Sequence, residues 1–393
     1  MEQVRLGIIG VGNMGTGHAK NLVEGKVPRM KLAAVADVNP ARLEWAKENL
    51  PEDVARFATA EEMMDSGLID AVIVAVPHYF HPPLSMMAMK KGIHVMSEKP
   101  AGVYTKQVRE MIERSEEHPD VVFGMMFNQR TNCVYRKMHE LIQGGSLGAI
   151  KRVNWIITNW YRTQAYYDSG DWRATWAGEG GGVLLNQCPH NLDLLQWICG
   201  MPSKITAFVH EGKWHDIEVE DDVTAYMEYP NGATGVFITT TGDAPGTNRF
   251  EVTLEYGKIV CEVGQETKLT LWKLAENERD FCKNSPSGFG TPEMEVIEVE
   301  TDGENLQHVG VLRAFTGAIL DGTPLVAKGA EGINGLTLSN AMHLSSWLGK
   351  PIELPVDEDV YLEELNKKIA GSKVKKETKA AAVEDLSNTY GSK

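Results

Sequence analysis

The chain has 393 residues, too many for one ordinary hydrophobic core, so its length predicts two domains. It carries 39 basic and 54 acidic residues for a net charge of −15, which repels phosphate backbones and argues against nucleic acid as a partner. Its apolar runs are shorter than a membrane span and its N-terminus lacks a signal-peptide pattern, so we expect a cytoplasmic protein without a membrane partner.

The chain opens with a predicted strand, a glycine turn and a helix. An apolar strand over Val4–Ile9 runs into the glycine turn Gly10-Val11-Gly12-Asn13-Met14-Gly15, and helical periodicity continues from His18 to Val23. In a dinucleotide-binding fold the first glycine makes the tight turn, and the second lets a pyrophosphate lie against bare backbone. The third lets helix and strand pack closely, so each glycine has a physical reason to be there.

A second strand, Lys31–Ala36, ends at the acidic residue Asp37, which can bind the ribose hydroxyls of a dinucleotide. Asp37 favours NAD over NADP because its charge repels a 2′-phosphate, although Arg42 lies close enough in sequence to weaken that preference. The predicted cofactor is therefore NAD. Its predicted site in this part of the chain comprises Gly10, Gly12, Asn13, Met14, Gly15 and Asp37.

Helices and strands alternate as far as residue 128, which predicts an α/β domain over 1–128 with a doubly wound parallel Rossmann sheet of about six strands. The run Ala71–Val76 is wholly apolar and suits a parallel strand buried on both faces. The fifth strand, His94–Ser97, ends at Glu98-Lys99-Pro100. Residues that follow the strands are expected beside the cofactor, namely Val76, Pro77, His78, His81, Glu98, Lys99 and Asn128.

Beyond residue 128 the pattern changes to a helix, Arg130–Gln143, followed by many short strands separated by turns. It predicts an α+β domain over 129–356 with one large, mainly antiparallel, open-faced sheet, followed by the helices Asn305–Leu320 and Ala330–Leu348. Because helices can cover only one face of such a sheet, we expect a homo-oligomer formed through the other face. Residues 357–393 are predicted to form a helix and a tail, and the tail from Gly371 is expected to be frayed or an oligomer arm.

Three glycines, Gly180 to Gly182, precede a predicted helix that ends near Gly200. If this helix includes Asn186, then Asn186, His190 and Asp193 share one face and form a polar stripe that we expect to line a cleft. Pro189 predicts a kink or a late helix start, because it lacks an amide hydrogen and clashes with the preceding turn.

An unusually aromatic loop precedes these glycines. Aromatic faces stack on sugar rings and arginines donate to their hydroxyls, so we predict a carbohydrate-binding loop. The alternative is that these aromatics pack between domains or at a subunit interface. The predicted substrate-binding residues of the loop are Tyr161, Arg162, Tyr166, Trp172, Arg173 and Trp176.

Metal binding and disulfides are not expected. His78 and His81 have no further ligand cluster nearby, and the five cysteines are scattered without a C-x-x-C pair, so they are expected to be reduced thiols.

The glycine turn, Glu98-Lys99-Pro100 and the Gly180–Gly182 run before His190 together resemble the Gfo/Idh/MocA oxidoreductase family. The resemblance covers roughly residues 4 to 356 and implies hydride transfer between nicotinamide and a ring carbon bearing a hydroxyl. It also implies that Lys99 lies beside nicotinamide and substrate, and that Asn186 and His190 occupy the positions of the family's Asp–His proton relay. An amide cannot ionise, so Lys99 is expected to carry more of the proton transfer. Asp193 is either a substitute partner for His190 or a structural hydrogen-bonding residue.

The predicted function is NAD-dependent oxidation of a secondary ring hydroxyl, such as C3, of a sugar or glycoside. Lys99, Asn186 and His190 are predicted both to act in catalysis and to contact the substrate. Three alternatives stay open: a glycosidase or lyase that uses NAD for a transient oxidation, a myo- or scyllo-inositol dehydrogenase, and a non-catalytic NAD sensor.

Overall fold

The computed structural model describes residues 2–264 and 267–373, and the predicted tail beyond Lys373 lies outside the described residues. The chain divides into two compact units. One unit comprises the chain up to Thr131 together with Gly178–Gly180 and Leu306–Leu336, and the other comprises Asn132–Ala177, Gly181–Asn305 and the chain from Thr337.

The first unit contains a parallel six-stranded sheet with the strand order β3-β2-β1-β4-β5-β6. This order reverses direction between β1 and β4, as in a doubly wound dinucleotide fold. The prediction of a Rossmann sheet is confirmed. Its elements are β1 (Val4–Ile9), α1 (Asn13–Val23), β2 (Met30–Ala36), α2 (Pro40–Asn49), β3 (Ala55–Phe57), α3 (Ala60–Asp65), β4 (Ala71–Val74), α4 (His81–Lys90), β5 (His94–Ser97), α5 (Thr105–Glu116) and β6 (Phe123–Met125).

The second unit is built on a nine-stranded sheet with the order β14-β13-β12-β11-β7-β10-β9-β8-β15. Of the described strand pairs in this sheet, only that of β7 with β10 is parallel, so the prediction of a large, mainly antiparallel sheet is confirmed. The strands are β7 (Ile150–Ile157), β8 (Lys204–Glu211), β9 (Glu220–Glu228), β10 (Thr234–Thr240), β11 (Asn248–Leu254), β12 (Gly257–Val263), β13 (Thr267–Leu274), β14 (Met294–Glu298) and β15 (Ile352–Glu353).

Residues along the central strands of this sheet alternate between buried and more exposed positions. On the buried face, Trp155 stacks on Phe250 with ring centres 4.1 Å apart and meets Phe237 edge-on at 6.2 Å. The opposite face keeps exposed apolar side chains, as expected for an open-faced sheet.

The remaining helices connect or follow the strands. They are α6 (Cys133–Gln143), α7 (Gln164–Tyr167), α8 (Pro189–Cys199), α9 (Glu278–Asn284), α10 (Gln307–Asp321), α11 (Gly332–Leu348) and α12 (Glu358–Gly371). Among the described helices, none is long and apolar enough to cross a membrane.

Helix α10 belongs to the first unit, although it follows β7 to β14 of the second unit in sequence. Its residues Val311, Leu312 and Phe315 are buried in the same apolar cluster as Val4 and Leu6 of β1. The core of the Rossmann sheet is therefore completed by a segment from far along the chain.

Helix α8 starts late, at Pro189, where a missing amide hydrogen costs no helical hydrogen bond. The expectation that Asn186, His190 and Asp193 share one helical face is wrong for Asn186, which lies before the helix. His190 and Asp193 are both on α8, and both are buried.

Candidate active site

The glycine loop between β1 and α1 meets three different steric demands. Gly10 has a φ of +90°, and a Cβ there would lie 2.3 Å from the carbonyl oxygen of Ala75. A Cβ on Gly15 would lie 1.9 Å from the carbonyl oxygen of Gly10, so this close approach requires glycine. At Gly12, by contrast, no described atom outside its own neighbours lies within 4 Å of the Cβ position. The first amides of α1 have no preceding turn to bond, so they can bind an anion beside this open backbone.

The carboxylate of Asp37, which directly follows β2, is oriented by backbone amides. Its Oδ2 accepts a hydrogen bond from the Val11 amide at 2.7 Å, and its Oδ1 accepts one from the Asn39 amide at 2.8 Å. Each carboxylate oxygen has a further lone pair, so both can still accept from a hydroxyl group. The bond to Val11 joins the end of β2 to the glycine loop, while Arg42 lies half-buried in the first turn of α2.

The residues after β4 are braced by two buried histidines. His81 places Nδ1 2.6 Å from the carbonyl oxygen of Pro100 and Nε2 2.7 Å from that of Val76. Burial lowers the pKa of His81, which favours the neutral ring, and a neutral ring can donate to only one of these two carbonyls. His78 places Nδ1 3.0 Å from the carbonyl oxygen of Glu179. Both rings therefore contact the protein's own backbone.

Glu98 and Lys99 follow β5, and the two residues differ in exposure. Glu98 is 4% exposed, while Lys99 is half-buried. The Glu98 carboxylate lies 2.6 Å from Nε2 of His18 on α1, and its other oxygen accepts from the Lys99 amide at 3.2 Å. Burial raises the pKa of Glu98, but the hydrogen bond and charge of His18, together with the nearby His308 and Lys99, outweigh burial and lower that pKa to about 2. The backbone of Lys99 is thus fixed by an ionised, buried side chain.

The sequence analysis did not identify His18, yet its spacing carries a signal. It lies on the same face of α1 as Gly15, Ala19 and Leu22, which are all buried. A histidine on such a face needs a polar partner, and Glu98 supplies one. The half-buried ring of His308, on α10, lies with its centroid 5.4 Å from that of His18. Burial lowers the pKa of His308 to about 4, and the neighbouring His18 adds to this effect.

The other predicted cofactor residues of the first unit take different environments. Asn13 is exposed and Met14 half-buried at the start of α1, beside the open backbone of Gly12. Val76 lies next to the glycine loop, since its Cγ1 is 3.1 Å from the Cβ position of Gly10. Asn128 is fully buried, and its side-chain amide donates to Gln307 of α10.

In the second unit, a tight turn carries the chain from Gly182 to the start of α8. The amides of Leu185 and Asn186 donate to the carbonyl oxygen of Gly182 at 3.1 and 2.9 Å. Asn186 is half-buried in this turn, and His190 is 2% exposed in the first turn of α8. Asp193 accepts a hydrogen bond from the side chain of Gln196 at 3.1 Å, so its carboxylate has a partner on its own helix.

The aromatic loop before the glycines splits into an accessible part and a buried part. Tyr161 is 49% exposed, whereas Trp176 is 2% exposed and donates its indole hydrogen to the carbonyl oxygen of Glu218 at 2.8 Å. The ring of Trp176 also meets those of His343 and Trp347 edge-on. Trp176 therefore belongs to the core of the second unit.

Tyr166 organises the accessible part of the loop. Its hydroxyl accepts hydrogen bonds from Arg173 at 2.6 Å and from Gln187 at 3.1 Å. The guanidinium groups of Arg173 and Arg162 lie 4.4 and 5.2 Å from its ring centre, and Arg173 also lies 4.7 Å from that of Trp172. Since Gln187 follows Asn186 in the chain, this cluster adjoins the turn that leads to His190.

Comparison with known proteins places both units in one family. Residues 4–125 match the model of an oxidoreductase family with an NAD-binding Rossmann fold, and residues 135–260 match the GFO/IDH/MocA C-terminal domain. The chain is 27% identical to the myo-inositol 2-dehydrogenase of Thermotoga maritima, over 68% of this chain and 78% of that protein. It is 30% identical to an inositol 2-dehydrogenase of Pseudarthrobacter chlorophenolicus, over 61% of this chain and 71% of that protein.

A solved structure is similar over nearly the whole length. The WlbA dehydrogenase from Bordetella pertussis, determined in complex with NADH and UDP-GlcNAcA, is 25% identical with a TM-score of 0.76. The similarity covers 91% of this chain and 99% of that one. With the glycine loop, the Glu98-Lys99-Pro100 strand end and both matched domains in place, the chain belongs to the Gfo/Idh/MocA family of oxidoreductases.

Proposed function

We propose that this protein is an NAD-dependent dehydrogenase that oxidises a secondary ring hydroxyl of a sugar or glycoside, with C3 as the candidate carbon, to a keto-sugar. The observation that carries the proposal is the combination, within the first unit, of a glycine loop with open backbone at Gly12 and the half-buried Lys99 at a neighbouring strand end. The inositol dehydrogenases and the NADH-bound WlbA dehydrogenase among its relatives support this chemistry.

The geometry of the glycine loop fits a dinucleotide. The backbone at Gly12 and the first amides of α1, at Asn13 and Met14, would hold the pyrophosphate, and the Asp37 carboxylate would accept the ribose hydroxyls. NAD is favoured over NADP because a 2′-phosphate would meet the charge of Asp37. When bound, NAD supplies the acceptor for the hydride that leaves the carbinol carbon.

The hydroxyl proton must leave as the hydride does, and we assign that step to Lys99. An amine within hydrogen-bond reach of the hydroxyl can accept its proton, and the backbone of Lys99 is held by Glu98. His190 is the second candidate proton carrier. Asn186 can orient a hydroxyl or the imidazole, but it cannot stabilise an imidazolium by charge.

The second unit is proposed to bind the carbohydrate. Tyr161, Arg162, Tyr166, Trp172 and Arg173 combine stacking faces with guanidinium donors, which suits a sugar ring and its hydroxyls. Trp176 is left out of this surface because it is buried, and we assign it a supporting role beneath the loop.

An inositol is the second candidate substrate, favoured by the relatives named inositol 2-dehydrogenase. Inositols and sugars present the same reacting group, a secondary alcohol on a six-membered ring. They differ in the ring oxygen and in any aglycone. We therefore expect the loop around Tyr166 to determine whether an inositol or a sugar is preferred.

The test is a screen of inositols, aldoses, sugar acids and glycosides with NAD and with NADP, scored by NADH or NADPH formation and by identification of the keto product. We expect NADH formation with at least one ring alcohol, and loss of about 100-fold or more in kcat for Lys99→Ala. The exposed Lys90, at the end of α4, provides the matched control Lys90→Ala, which should keep full activity. If the protein still binds NAD but forms no NADH or NADPH with any compound of the screen, the proposal is overturned.

We also propose that the chain forms a homo-oligomer through the open face of the nine-stranded sheet. The strand register puts Phe208, Tyr226 and Ile156 on that face, where they are 65%, 43% and 37% exposed. A contiguous exposed apolar patch is typical of a protein interface. Sedimentation as a monomer at micromolar concentration would contradict this assignment.

A further inference from the structure

A buried carboxylate anchors the turn that leads to Asn186 and His190. Glu220, at the start of β9, is completely buried, and its Oε2 accepts a hydrogen bond from the Gly182 amide at 2.8 Å. Its Oε1 accepts one from the Leu184 amide at 3.0 Å. Its backbone carbonyl also accepts from the Val183 amide at 2.9 Å. Three successive amides of the turn are thus bound to one residue of a strand distant in sequence.

The close approach of these two segments explains why Gly182 has no side chain. A Cβ at Gly182 would lie 2.0 Å from the carbonyl oxygen of Glu220. The amides of Gly182 and Leu184 are the first of a helical turn, since the Asn186 amide donates back to Gly182. A carboxylate at that position does what a capping residue does, but it reaches the turn from another element.

The Glu220 carboxylate also lies beside an imidazole in the core of the second unit. Nε2 of His343, on α11, lies 3.0 Å from Oε2 of Glu220, and both side chains are completely buried. The His343 ring stacks on Trp347 with centres 5.3 Å apart and meets Trp176 edge-on at 5.5 Å. A carboxylate buried without hydrogen-bond donors would be costly here, and the amides of Gly182 and Leu184 supply two of them.

We propose that Glu220, supported by His343, is a positioning residue for the oxidoreductase site: it sets where Asn186 and the first turn of α8, with His190, are held. This inference rests on the proposed function, because it assigns the turn a catalytic purpose. The chain runs from the anchored amides to Asn186 within one turn, so loss of the anchor shifts the side chains that follow. Displacement of a reacting group by about 1 Å can lower a rate by as much as 100-fold.

The test compares Glu220→Gln with Glu228→Gln, which makes the same change near the far end of the same strand, where the side chain is partly exposed. Glutamine keeps one acceptor oxygen and replaces the other with a donor amide, so one of the two amide hydrogen bonds to Oε1 and Oε2 is lost. We expect kcat for the best substrate of the screen to fall about 10- to 100-fold in Glu220→Gln. The dissociation constant for NADH should stay within about twofold, because the proposed cofactor residues lie in the first unit. Glu228→Gln should match the wild type in both measurements.

Hydrogen exchange gives a readout that needs no substrate. Peptides that contain residues 182–188 should exchange faster in Glu220→Gln than in the wild type, while peptides from the glycine loop should be unchanged. Glu220→Asp keeps the charge but shortens the reach, and if Glu220→Gln does not fold, Glu220→Asp takes its place in every measurement. Faster exchange with an unchanged kcat would overturn the positioning role while leaving the dehydrogenase intact. Unchanged exchange would overturn the anchor itself, even if the screen finds no substrate.

Discussion

Nε2 of His18, on helix α1, lies 2.6 Å from Oε1 of Glu98, which follows β5, and both side chains are buried. His18 follows the glycine loop and Glu98 precedes Lys99, so this pair joins the predicted cofactor-binding loop to the predicted proton carrier. Removal of one partner from a buried hydrogen-bonded pair is costly, because the other polar group is left buried without it.

We expect His18→Leu to lower the free energy of unfolding by about 3 kcal/mol, because it leaves the Glu98 carboxylate buried without its imidazole. Urea denaturation measures this loss. The half-buried His118, two residues beyond the end of α5, offers the control His118→Leu, for which we expect little change. The double variant His18→Leu with Glu98→Gln should lose less than the sum of the two single losses. Additive losses would show that the two side chains are not coupled.

Stability should fall between pH 7 and pH 5 because of His308. The pKa of its imidazole is lowered from 6.5 to about 4 in the folded chain, chiefly by burial, with His18, Glu98 and Lys99 as its charged or titratable neighbours. The unfolded chain therefore binds more protons in this range, and the stability that is fully present above pH 6.5 is lost as the pH falls toward 4.

We expect His308 to account for about 2 kcal/mol of the loss between pH 7 and pH 5. Glu98 contributes little there, because its pKa is lowered to about 2 and its own stabilisation is lost below pH 4.5. Urea midpoints of the wild type and His308→Leu at the two pH values check this. An equal fall in both proteins would contradict it.

The three glycines Gly12, Gly15 and Gly17 should respond differently to alanine. Gly15→Ala places a methyl 1.9 Å from the Gly10 carbonyl, so we expect a large drop in Tm or no soluble protein. Gly12 has an ordinary φ of −77° and open space, so Gly12→Ala should keep its Tm but weaken NADH binding about tenfold. Gly17 also has open space within α1, and Gly17→Ala should change neither. NADH fluorescence titration and thermal melts distinguish these outcomes. Unchanged NADH binding in Gly12→Ala would contradict the assignment of the glycine loop to the cofactor site.

Asp37→Ala should weaken NADH binding more than NADPH binding, because the carboxylate accepts ribose hydroxyls and repels a 2′-phosphate. We expect a loss of roughly tenfold for NADH and a smaller loss for NADPH, measured by fluorescence titration with both cofactors. The exposed Asp53, which pairs with Lys31 on the surface, serves as the control position. Equal losses for both cofactors would mean that Asp37 acts only through its bond to the glycine loop.

Substitution of two tryptophans of the aromatic loop should have different effects, one on stability and the other on substrate binding. Trp176→Ala removes a buried ring and should cost roughly 3 kcal/mol of unfolding free energy. Trp172→Ala removes a half-buried ring beside Arg173 and should raise KM for the sugar about tenfold with a small change in stability. Denaturation and steady-state kinetics measure the two effects. An unchanged KM in Trp172→Ala would favour a purely structural loop.

The sequence predicted well those features that depend on local residue patterns, namely the glycine loop and the two sheets. The glycine loop follows an apolar strand and precedes a helix, and the alternation up to Phe127 specified the parallel sheet. In the second unit, alternating apolar residues and turns such as Pro230-Asn231-Gly232 specified a large antiparallel sheet.

The features that the sequence did not predict depend on contacts between distant residues. His18 meets Glu98 across 80 positions, and Glu220 meets His343 across a still longer separation. Periodicity cannot pair such side chains, because many buried polar residues could be partners. Trp176 and Trp172 illustrate the same limit of sequence-based prediction. The pattern of aromatic residues in a loop does not indicate which rings are buried and which are accessible. Asn186 left the predicted helical face because Pro189 favours the first position of a helix.

The position of helix α10 has a consequence for the order in which the chain folds. Synthesis proceeds from the N-terminus, so all six strands of the Rossmann sheet exist before Val311, Leu312 and Phe315 are made. Until then the apolar surface around Val4 and Leu6 lacks part of its cover, while most of the second unit has already been synthesised. The core of the first unit is therefore complete only after most of the second unit has been synthesised, and a fragment that ends at Thr131 would expose part of its own core to water.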